Sequence, residues 1–375
     1  MKYTEQREKA LHEFGKLDAV DDDYSNVLEM FNTEFRSFGD GLKDFLALRP
    51  IEGITDPISH LKALCVQSGT NISNIADPRT LKSWFNDSKR PRKSDDSRRK
   101  IFAFAFALKL TPDETKELFH KVYLDRAFNK RNYKEVIYYY CLKHEMSFEY
   151  AEKLIERVFL SEPSTLDRTM YTSVLSSEVE NLEDERDLIS YIQTHSHNFS
   201  MSTTSAKRVL LRQREEALKY AQEEAKCGYD SGVYSHLDRK SNSFLYFLIT
   251  DQRVNGDGAR GTSPISFKDT TIPTEIKTNF PQHNSLSGKI DSFEELRKSI
   301  ILLFSYHFWR KAAKEKISDF YVEYCDELNS ILVDAGLPQL YPGNPYDWMF
   351  LFCTEKAYPL DTFRGLLAEI LDIEY

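Results

Sequence analysis

The chain has 375 residues, of which 41% are hydrophobic and 13% aromatic, and this composition is typical of a folded protein with a sizeable core. Its formal net charge of −9 excludes a general polyanion binder, so any contact with nucleic acid must be local. The small numbers of glycines (14) and prolines (13) favour helices over a sheet that would need many tight turns.

The five cysteines are far apart in the sequence and form no Cys-x-x-Cys pair. This spacing favours reduced, buried thiols over a disulfide framework or a zinc site. The N-terminus carries no apolar signal core, and no run of about 18 apolar residues indicates a membrane span. We therefore expect an all-α, cytoplasmic protein without a bound metal or cofactor.

The N-terminal part of the chain, residues 1–50, has helical spacing of its apolar residues, and Gly39 and Gly41 are expected to mark a break between two helices. A connector rich in turn residues follows. Three short helices joined by brief turns are predicted after it, near residues 61–66, 71–76 and 78–86.

A hairpin of two capped helices is predicted next. Ser94 caps an apolar helix, and residues 111–114 have the sequence of a capping box at the start of a second helix. This pair recurs at residues 136–155 and 352–367, with a looser copy at 189–211. The hairpins have the size of helical repeat units, but any two capped amphipathic helices would also align, so both interpretations stay open.

The remaining pattern predicts an acidic helix at residues 176–193 and a long charged helix at 202–226. Helical periodicity then fails between residues 227 and 291, where glycine and proline recur. The predicted domains are N-terminal helices (1–50), a helix-turn-helix-like domain (51–124), a domain of αα-hairpins (125–226), a long irregular, loop-rich insertion (227–291) and a C-terminal helical region (292–375).

The segment most informative about function is residues 80–92, in which an amphipathic helix with Trp84 is followed by a basic turn that contains Pro91. From Leu81 to Lys100, eight cationic and three anionic side chains give a local net charge of +5. A run of charges is often only a solvated face. An aromatic helix beside a basic turn is also typical of a DNA-reading helix with its phosphate anchor.

This region, over roughly residues 60–120, resembles the phage-repressor-like (Xre/Cro) helix-turn-helix family. The recognition helix of that family has the form Thr-Ile-Ser-x-Trp and precedes a basic turn and a proline. The matching residues are Thr80-Leu81-Lys82-Ser83-Trp84, then Asn86 and Lys89-Arg90-Pro91. The helix predicted after Ser94 corresponds to the next core helix of the family.

Three positions depart from the pattern of the family. Asn71 stands at the small residue of the first helix of the motif, Ile75 at the glycine of its turn, and Asp87 at the glycine after the recognition helix. Aspartate tolerates a left-handed backbone better than most residues, whereas isoleucine does not. If the resemblance holds, Leu81 and Trp84 should be buried, because they lie three residues apart on one helix face.

The resemblance implies two sets of DNA-contacting side chains. Those expected to face base edges are Arg79, Thr80, Lys82 and Ser83. Those expected to neutralise phosphates are Lys89, Arg90, Arg92, Lys93, Arg98 and Arg99. Phosphate contacts position a protein on the duplex, and base contacts specify the sequence.

We therefore expect a bacterial, sequence-specific regulator that binds double-stranded DNA, with helices that sense a peptide or protein effector or form a homodimer. The alternative is a non-enzymatic helical scaffold or accessory subunit of a defence or stress system that binds a protein or RNA.

An enzyme is not expected. His195 and His197 have no further metal ligands nearby, residues 255–258 favour a turn over a calcium loop, and no catalytic motif is present. An active site under the 227–291 loop is the third alternative.

Overall fold

The computed structural model describes residues 34–158, 172–199, 203–226, 240–251, 272–290, 292–315 and 319–371, together with Tyr24, Val27 and Phe31. Within these residues the protein is all-helical, with 16 α-helices and no β-strand, which confirms the predicted fold class. The chain divides into two units. We call residues 36–202 the central unit, and residues 1–35 with 203–375 the discontinuous unit.

The central unit contains nine of the α-helices that the structure describes. They are α1 (Phe38–Ala47), α2 (Pro57–Ser68), α3 (Pro78–Phe85), α4 (Asp95–Ala107), α5 (Pro112–Glu117), α6 (Tyr133–Lys143), α7 (Phe148–Arg157), α8 (Thr172–Glu180) and α9 (Glu185–Thr194). Helix α5 continues directly as a π-helix, Leu118–Tyr123. Short 3₁₀ turns occupy Ile72–Asn74 and Ser196–Phe199.

Helices α2, α4 and α6 each end in a backbone turn of the same type. Each has one left-handed residue, namely Gly69 (φ 74°), Lys109 (φ 48°) and Glu145 (φ 53°). The next amide donates to the carbonyl five residues earlier, in the pairs Thr70–Cys65 (3.0 Å), Leu110–Ala105 (3.0 Å) and Met146–Cys141 (2.8 Å). This is the Schellman pattern, which satisfies carbonyls that a helix end leaves without partners.

One residue beyond each of these turns, a polar side chain caps the next helical segment. The capping residues are Asn71, Thr111 and Ser147. The predicted capping box is present, because Thr111 accepts from the amide of Glu114 while Glu114 accepts from that of Thr111. The hairpins at residues 111 and 147 therefore share one turn and cap. A third copy of this turn and cap, around Asn71, was not predicted. Gly69 stands where the other two turns have the charged Lys109 and Glu145, and Asn71 stands where they have a hydroxyl residue.

Three predicted boundaries are wrong in detail. Gly39 and Gly41 do not separate two helices but lie in the first turns of α1, where Gly41 leaves room for Val122. Residues 176–193 belong to two helices, since Asp184 accepts a hydrogen bond from the Arg186 amide and starts a new one. The helix expected at residues 71–76 is a single 3₁₀ turn.

The core of the central unit is built around α4. The alternating phenylalanines and alanines of this helix are buried on every side, as expected for a helix that neighbours surround. The ring centroid of Phe102 lies 4.5 Å from that of Phe119 and 4.9 Å from that of Tyr138. Phe106 meets Phe148 at 5.5 Å. These contacts join α4 to the π-helix, α6 and α7.

The discontinuous unit contains seven described α-helices, α10 (Thr204–Lys226), α11 (Asn242–Thr250), α12 (Thr274–Lys277), α13 (Phe293–Glu315), α14 (Phe320–Asp334), α15 (Pro345–Thr354) and α16 (Pro359–Ile370). Helix α10 packs along α13. A buried ion pair joins Arg297 to Asp347 at 2.6 Å. The predicted hairpin at residues 352–367 corresponds to α15 and α16, but Tyr358 provides no side-chain cap for α16. Residues 255–258 lie outside the described residues.

Candidate nucleic-acid interface

The apolar face of α3 is anchored in the core of the central unit. Leu81 and Trp84 are only 1% and 3% exposed, as their three-residue spacing predicts. The Trp84 ring meets the Phe38 ring edge-on, with centroids 5.7 Å apart and planes at 86°. Gly39 allows α1 to approach α3 closely, since a methyl group there would lie 2.6 Å from the Trp84 carbonyl oxygen. The helix therefore has a fixed orientation on α1.

The backbone after α3 adopts the conformation that its sequence allows. Asp87 is left-handed, with φ 59°, at the position where the helix-turn-helix family has glycine. Its Oδ1 accepts a hydrogen bond from the Gly39 amide at 2.7 Å, which holds the conformation in place. Ile75, at the other glycine position, is right-handed, with φ −84°. The turn before α3 thus differs from the left-handed turn that a glycine at this position would allow.

The opposite face of α3 points away from the core. Arg79, Lys82 and Asn86 are exposed, and their spacing of three and four residues places them on one side of the helix. The hydroxyl of Thr80 donates to Asp77 at 2.6 Å, and that of Ser83 donates to the Arg79 carbonyl at 3.0 Å. Of the four predicted base-contacting residues, Arg79 and Lys82 are therefore the exposed cations, while Thr80 and Ser83 are half-buried.

The N-terminus of α3 is already occupied by an acid. Asp77 accepts hydrogen bonds from the amides of Arg79 and Thr80 at 2.9 and 3.0 Å. The hydrogen bond from the Thr80 hydroxyl, followed by that from its amide, lowers the pKa of Asp77 below its ordinary value. The carboxylate therefore stays charged at neutral pH, and an anion would meet repulsion at this helix end. Cationic side chains, rather than the helix N-terminus, are the groups that could meet a phosphate.

The cations of the basic turn after α3 have two different environments. Lys89 and Arg92 are exposed, whereas Arg90 and Lys93 are half-buried. The guanidinium of Arg90 donates to the carbonyls of Val122 (3.3 Å) and Tyr123 (3.0 Å). The ammonium of Lys93 donates to the Leu124 carbonyl. Both of these predicted phosphate contacts are bound to the protein itself.

Arg98 is a correction to the predicted interface. Its side chain is 10% exposed and lies between Glu135 and Asp125, to which it donates at 2.7 Å each. Burial alone would lower the pKa of Arg98, but the charges of these two carboxylates raise it above its ordinary value. A cation so enclosed and so compensated cannot reach a phosphate.

Arg99 is also paired within the central unit. Its guanidinium donates to Glu152 at 2.5 and 2.8 Å and lies 5.0 Å from the centroid of the Phe148 ring. The other carboxylate oxygen of Glu152 accepts from the Tyr138 hydroxyl at 2.5 Å. Since this arginine links α4 to α6 and α7, we remove it from the candidate surface as well.

The predicted cations therefore form two groups. The outward four are Arg79, Lys82, Lys89 and Arg92. The inward four are Arg90, Lys93, Arg98 and Arg99. The amide of Lys89 donates to the Ser83 carbonyl at 3.2 Å, which fastens the basic turn to the end of α3.

Sequence reasoning missed two residues of this region. Asn86 was matched to the family but not assigned a contact, although it lies four residues after Lys82 on the exposed face, and that spacing was the available signal. Tyr123 donates its hydroxyl to the Arg92 carbonyl at 2.6 Å. No local pattern indicates this contact, because the two residues are 31 positions apart.

Other candidate sites are limited. No group of three or more metal-ligating side chains occurs in the part of the chain that the structure describes. Among the same residues, no helix combines the length and apolarity needed to cross a bilayer. A cleft of about 450 Å³ lies between the turns that follow α4 and α6, with Thr111, Ser147 and Ser68, the last residue of α2, in its lining. It has no cluster of catalytic groups.

Comparisons with protein-family models, curated proteins and solved structures find no match to this chain.

Proposed function

We propose that the central unit binds double-stranded DNA through the outward four and acts as a sequence-specific regulator. The observation that carries the proposal is the division of α3 into two faces. Leu81 and Trp84 fix one face in the core, while Arg79 and Lys82 project from the other. A short helix held in this way, next to a basic turn, is the arrangement that presents side chains to a groove.

The chemistry of each cation suggests its role. Arg79 and Lys82 lie on the exposed helix face, and both residue types pair with the O6 and N7 atoms of guanine in the major groove. Lys89 and Arg92 follow the helix in the basic turn, where they would neutralise phosphates. Two exposed acids nearby have partners of their own, since Asp77 caps α3 and Asp87 binds the Gly39 amide.

The net charge of −9 fits this proposal, because it disfavours indiscriminate binding to polyanions. Binding would then depend on a small cationic surface and on a matching sequence. We propose that the remaining helices sense a peptide or protein effector or join two copies of the chain, as regulators with paired DNA-binding units do.

Selection from a random duplex pool, followed by titration of the selected duplex against the starting pool, tests the proposal. The full chain should prefer the selected duplex, and Arg79→Ala with Lys82→Ala should reduce that preference by about ten-fold or more, since each base contact contributes about 1–3 kcal/mol. The matched control removes two exposed lysines from other helices, Lys62→Ala and Lys153→Ala. A wild-type protein that selects no duplex, or a control that loses as much, contradicts the proposal.

The second candidate function is the helical scaffold, which the three repeated turns and the cleft between two of them favour. Stacked hairpins with an open cleft are typical of proteins that bind other macromolecules. In this case Met146→Lys, in the cleft lining, should abolish binding to a protein or RNA partner and leave duplex binding unchanged. An interaction that survives this change, but is lost with Arg79→Ala and Lys82→Ala, argues for the DNA interface instead.

A further inference from the structure

The basic turn is fastened to the end of the π-helix. Helix α5 passes into the π-helix, and the chain then turns sharply at Leu124, whose φ is 55°. Carbonyls at a helix end have no amide partner in the helix. Here Arg90 donates to those of Val122 and Tyr123, and Lys93 to that of Leu124. Two of the inward four therefore satisfy three carbonyls at this helix end.

Tyr123 completes the attachment from the other side. It is fully buried, and its hydroxyl donates to the Arg92 carbonyl at 2.6 Å. The ammonium of Lys93 lies 5.4 Å from the centroid of the Tyr123 ring, within the range of a cation–π contact. The guanidinium of Arg90 lies 5.8 Å from the centroid of the Phe38 ring, the same ring that packs on Trp84. These contacts connect the turn to the core.

The beginning of the turn is also fixed. The Asp87 carboxylate accepts from the Gly39 amide at 2.7 Å, and the Lys89 amide donates to the Ser83 carbonyl at 3.2 Å. The backbone is thus held on both sides of the two exposed cations, while their side chains extend into solvent. Such an arrangement reduces the conformational entropy lost on binding, because the backbone of the turn is already ordered in the free protein.

We infer that Arg90, Lys93 and Tyr123 form a clasp that positions Lys89 and Arg92 for adjacent contacts with the phosphates of duplex DNA. This inference rests on the proposed function. Arg90 and Lys93 then affect DNA binding by holding the turn in position and not by contacting phosphates, although their charge and position in the sequence match those of phosphate ligands. They are positioning residues, and Tyr123 shares their role without carrying a charge.

The salt dependence of binding separates a positioning residue from a phosphate ligand. Each lost phosphate contact reduces the slope of log K against log salt by about 0.9. A positioning residue weakens binding without changing the slope. We expect Tyr123→Phe to weaken duplex binding roughly two- to ten-fold, the effect of one lost hydrogen bond, with the slope unchanged. Arg92→Ala should weaken binding and also reduce the slope by about 0.9.

Arg90→Gln tests the role of the guanidinium directly. Glutamine carries no charge, and its side chain is too short to reach the carbonyls that the terminal nitrogen of Arg90 contacts. If Arg90 holds the turn, this variant should bind the duplex more weakly than wild type and keep the wild-type slope. A slope reduced by about 0.9 would instead show a phosphate contact and overturn the inference for this residue.

Cleavage by trypsin supplies a readout that does not involve DNA. The bonds after Lys89 and Arg92 are potential cleavage sites, whereas the bond after Arg90 resists trypsin because proline follows. Tyr123→Phe should accelerate cleavage after Arg92 several-fold, while cleavage after Lys153 on α7 serves as the internal reference. The matched control is Tyr140→Phe, which removes another tyrosine-to-carbonyl hydrogen bond, to Glu183 at 3.2 Å, and should leave turn cleavage and DNA binding unchanged.

The two proposals fail in different ways. If wild type binds the duplex with a normal salt dependence and Tyr123→Phe changes neither turn cleavage nor affinity, the clasp is overturned and the proposed function stands. If wild type has no salt-dependent affinity for duplex DNA, the proposed function fails, and the positioning role fails with it. Faster turn cleavage together with weaker binding at an unchanged slope supports both.

Discussion

The outward four and the inward four occupy one short stretch of the chain, yet they have opposite surroundings. Arg79, Lys82, Lys89 and Arg92 are exposed, whereas Arg90, Lys93, Arg98 and Arg99 bind carbonyls or carboxylates of the central unit. The local charge of +5 in the sequence therefore overstates the charge that the surface presents to a partner. A basic segment can therefore contribute both buried ion pairs and exposed charge.

The largest expected effect comes from the most enclosed inward cation. Arg98→Met should destabilise the central unit by about 3–5 kcal/mol, because it leaves Glu135 and Asp125 buried without their counter-charge. Urea titration followed by hydrogen exchange of peptides from α4 and α6 measures this loss in the full chain.

The neighbouring arginine is the control for this change. The side chains of Arg99 and Glu152 are 35% and 28% exposed, so Arg99→Ala should cost only about 1 kcal/mol in the same assay. Equal losses for the two variants would show that the depth of burial does not separate the inward cations as we describe.

A second prediction concerns the contact between α1 and α3, which fixes the orientation of the exposed face of α3. A methyl group in Gly39→Ala would lie 2.6 Å from the Trp84 carbonyl oxygen and 2.9 Å from that of Phe85. We expect a loss of about 1–3 kcal/mol, as for other overpacked contacts, together with altered Trp84 fluorescence. Exposed Lys62→Ala on α2 should change neither. A stable Gly39→Ala protein with normal fluorescence would show that the contact between α1 and α3 is looser than the structure indicates.

A third prediction uses another buried cation of the central unit. Burial lowers the pKa of Lys130 to about 8, even though Glu180 lies 3.7 Å away. Between this value and the ordinary lysine pKa, the unfolded chain binds more protons than the folded chain, so stability rises with pH. The rise should be about 1 kcal/mol from about pH 8 to about pH 9.

Lys130→Gln provides the comparison, because it cannot titrate. The difference in unfolding free energy between wild type and this variant should change with pH over the same window. Parallel curves for the two proteins would mean that Lys130 keeps an ordinary lysine pKa in the folded state.

Local sequence patterns predicted much of the local structure. The all-α class, the capping box at Thr111 and the burial of Leu81 and Trp84 depend on residues within one or two helical turns, and all are confirmed. The left-handed Asp87 follows from the tolerance of aspartate for this conformation. Such features are encoded by near neighbours, so a single sequence is enough to find them.

The direction of each cation could not be predicted in this way. Arg98 and Glu135 are 37 positions apart, and Arg99 and Glu152 are 53 apart. Partners at such distances depend on how hairpins pack, and composition does not contain that information. No local sequence pattern predicts the π-helix whose carbonyls accept hydrogen bonds from Arg90. The same limit explains the missed role of Tyr123.

The salt dependence of duplex binding by Lys89→Ala with Arg92→Ala is the most direct test of the central claim. The claim is that the outward cations, and not the inward ones, contact DNA. The account predicts a slope reduced by about 1.8 with an unchanged unfolding free energy, while Lys62→Ala with Lys153→Ala keeps the wild-type slope. A slope equal to that of wild type in the Lys89 and Arg92 variant would contradict it.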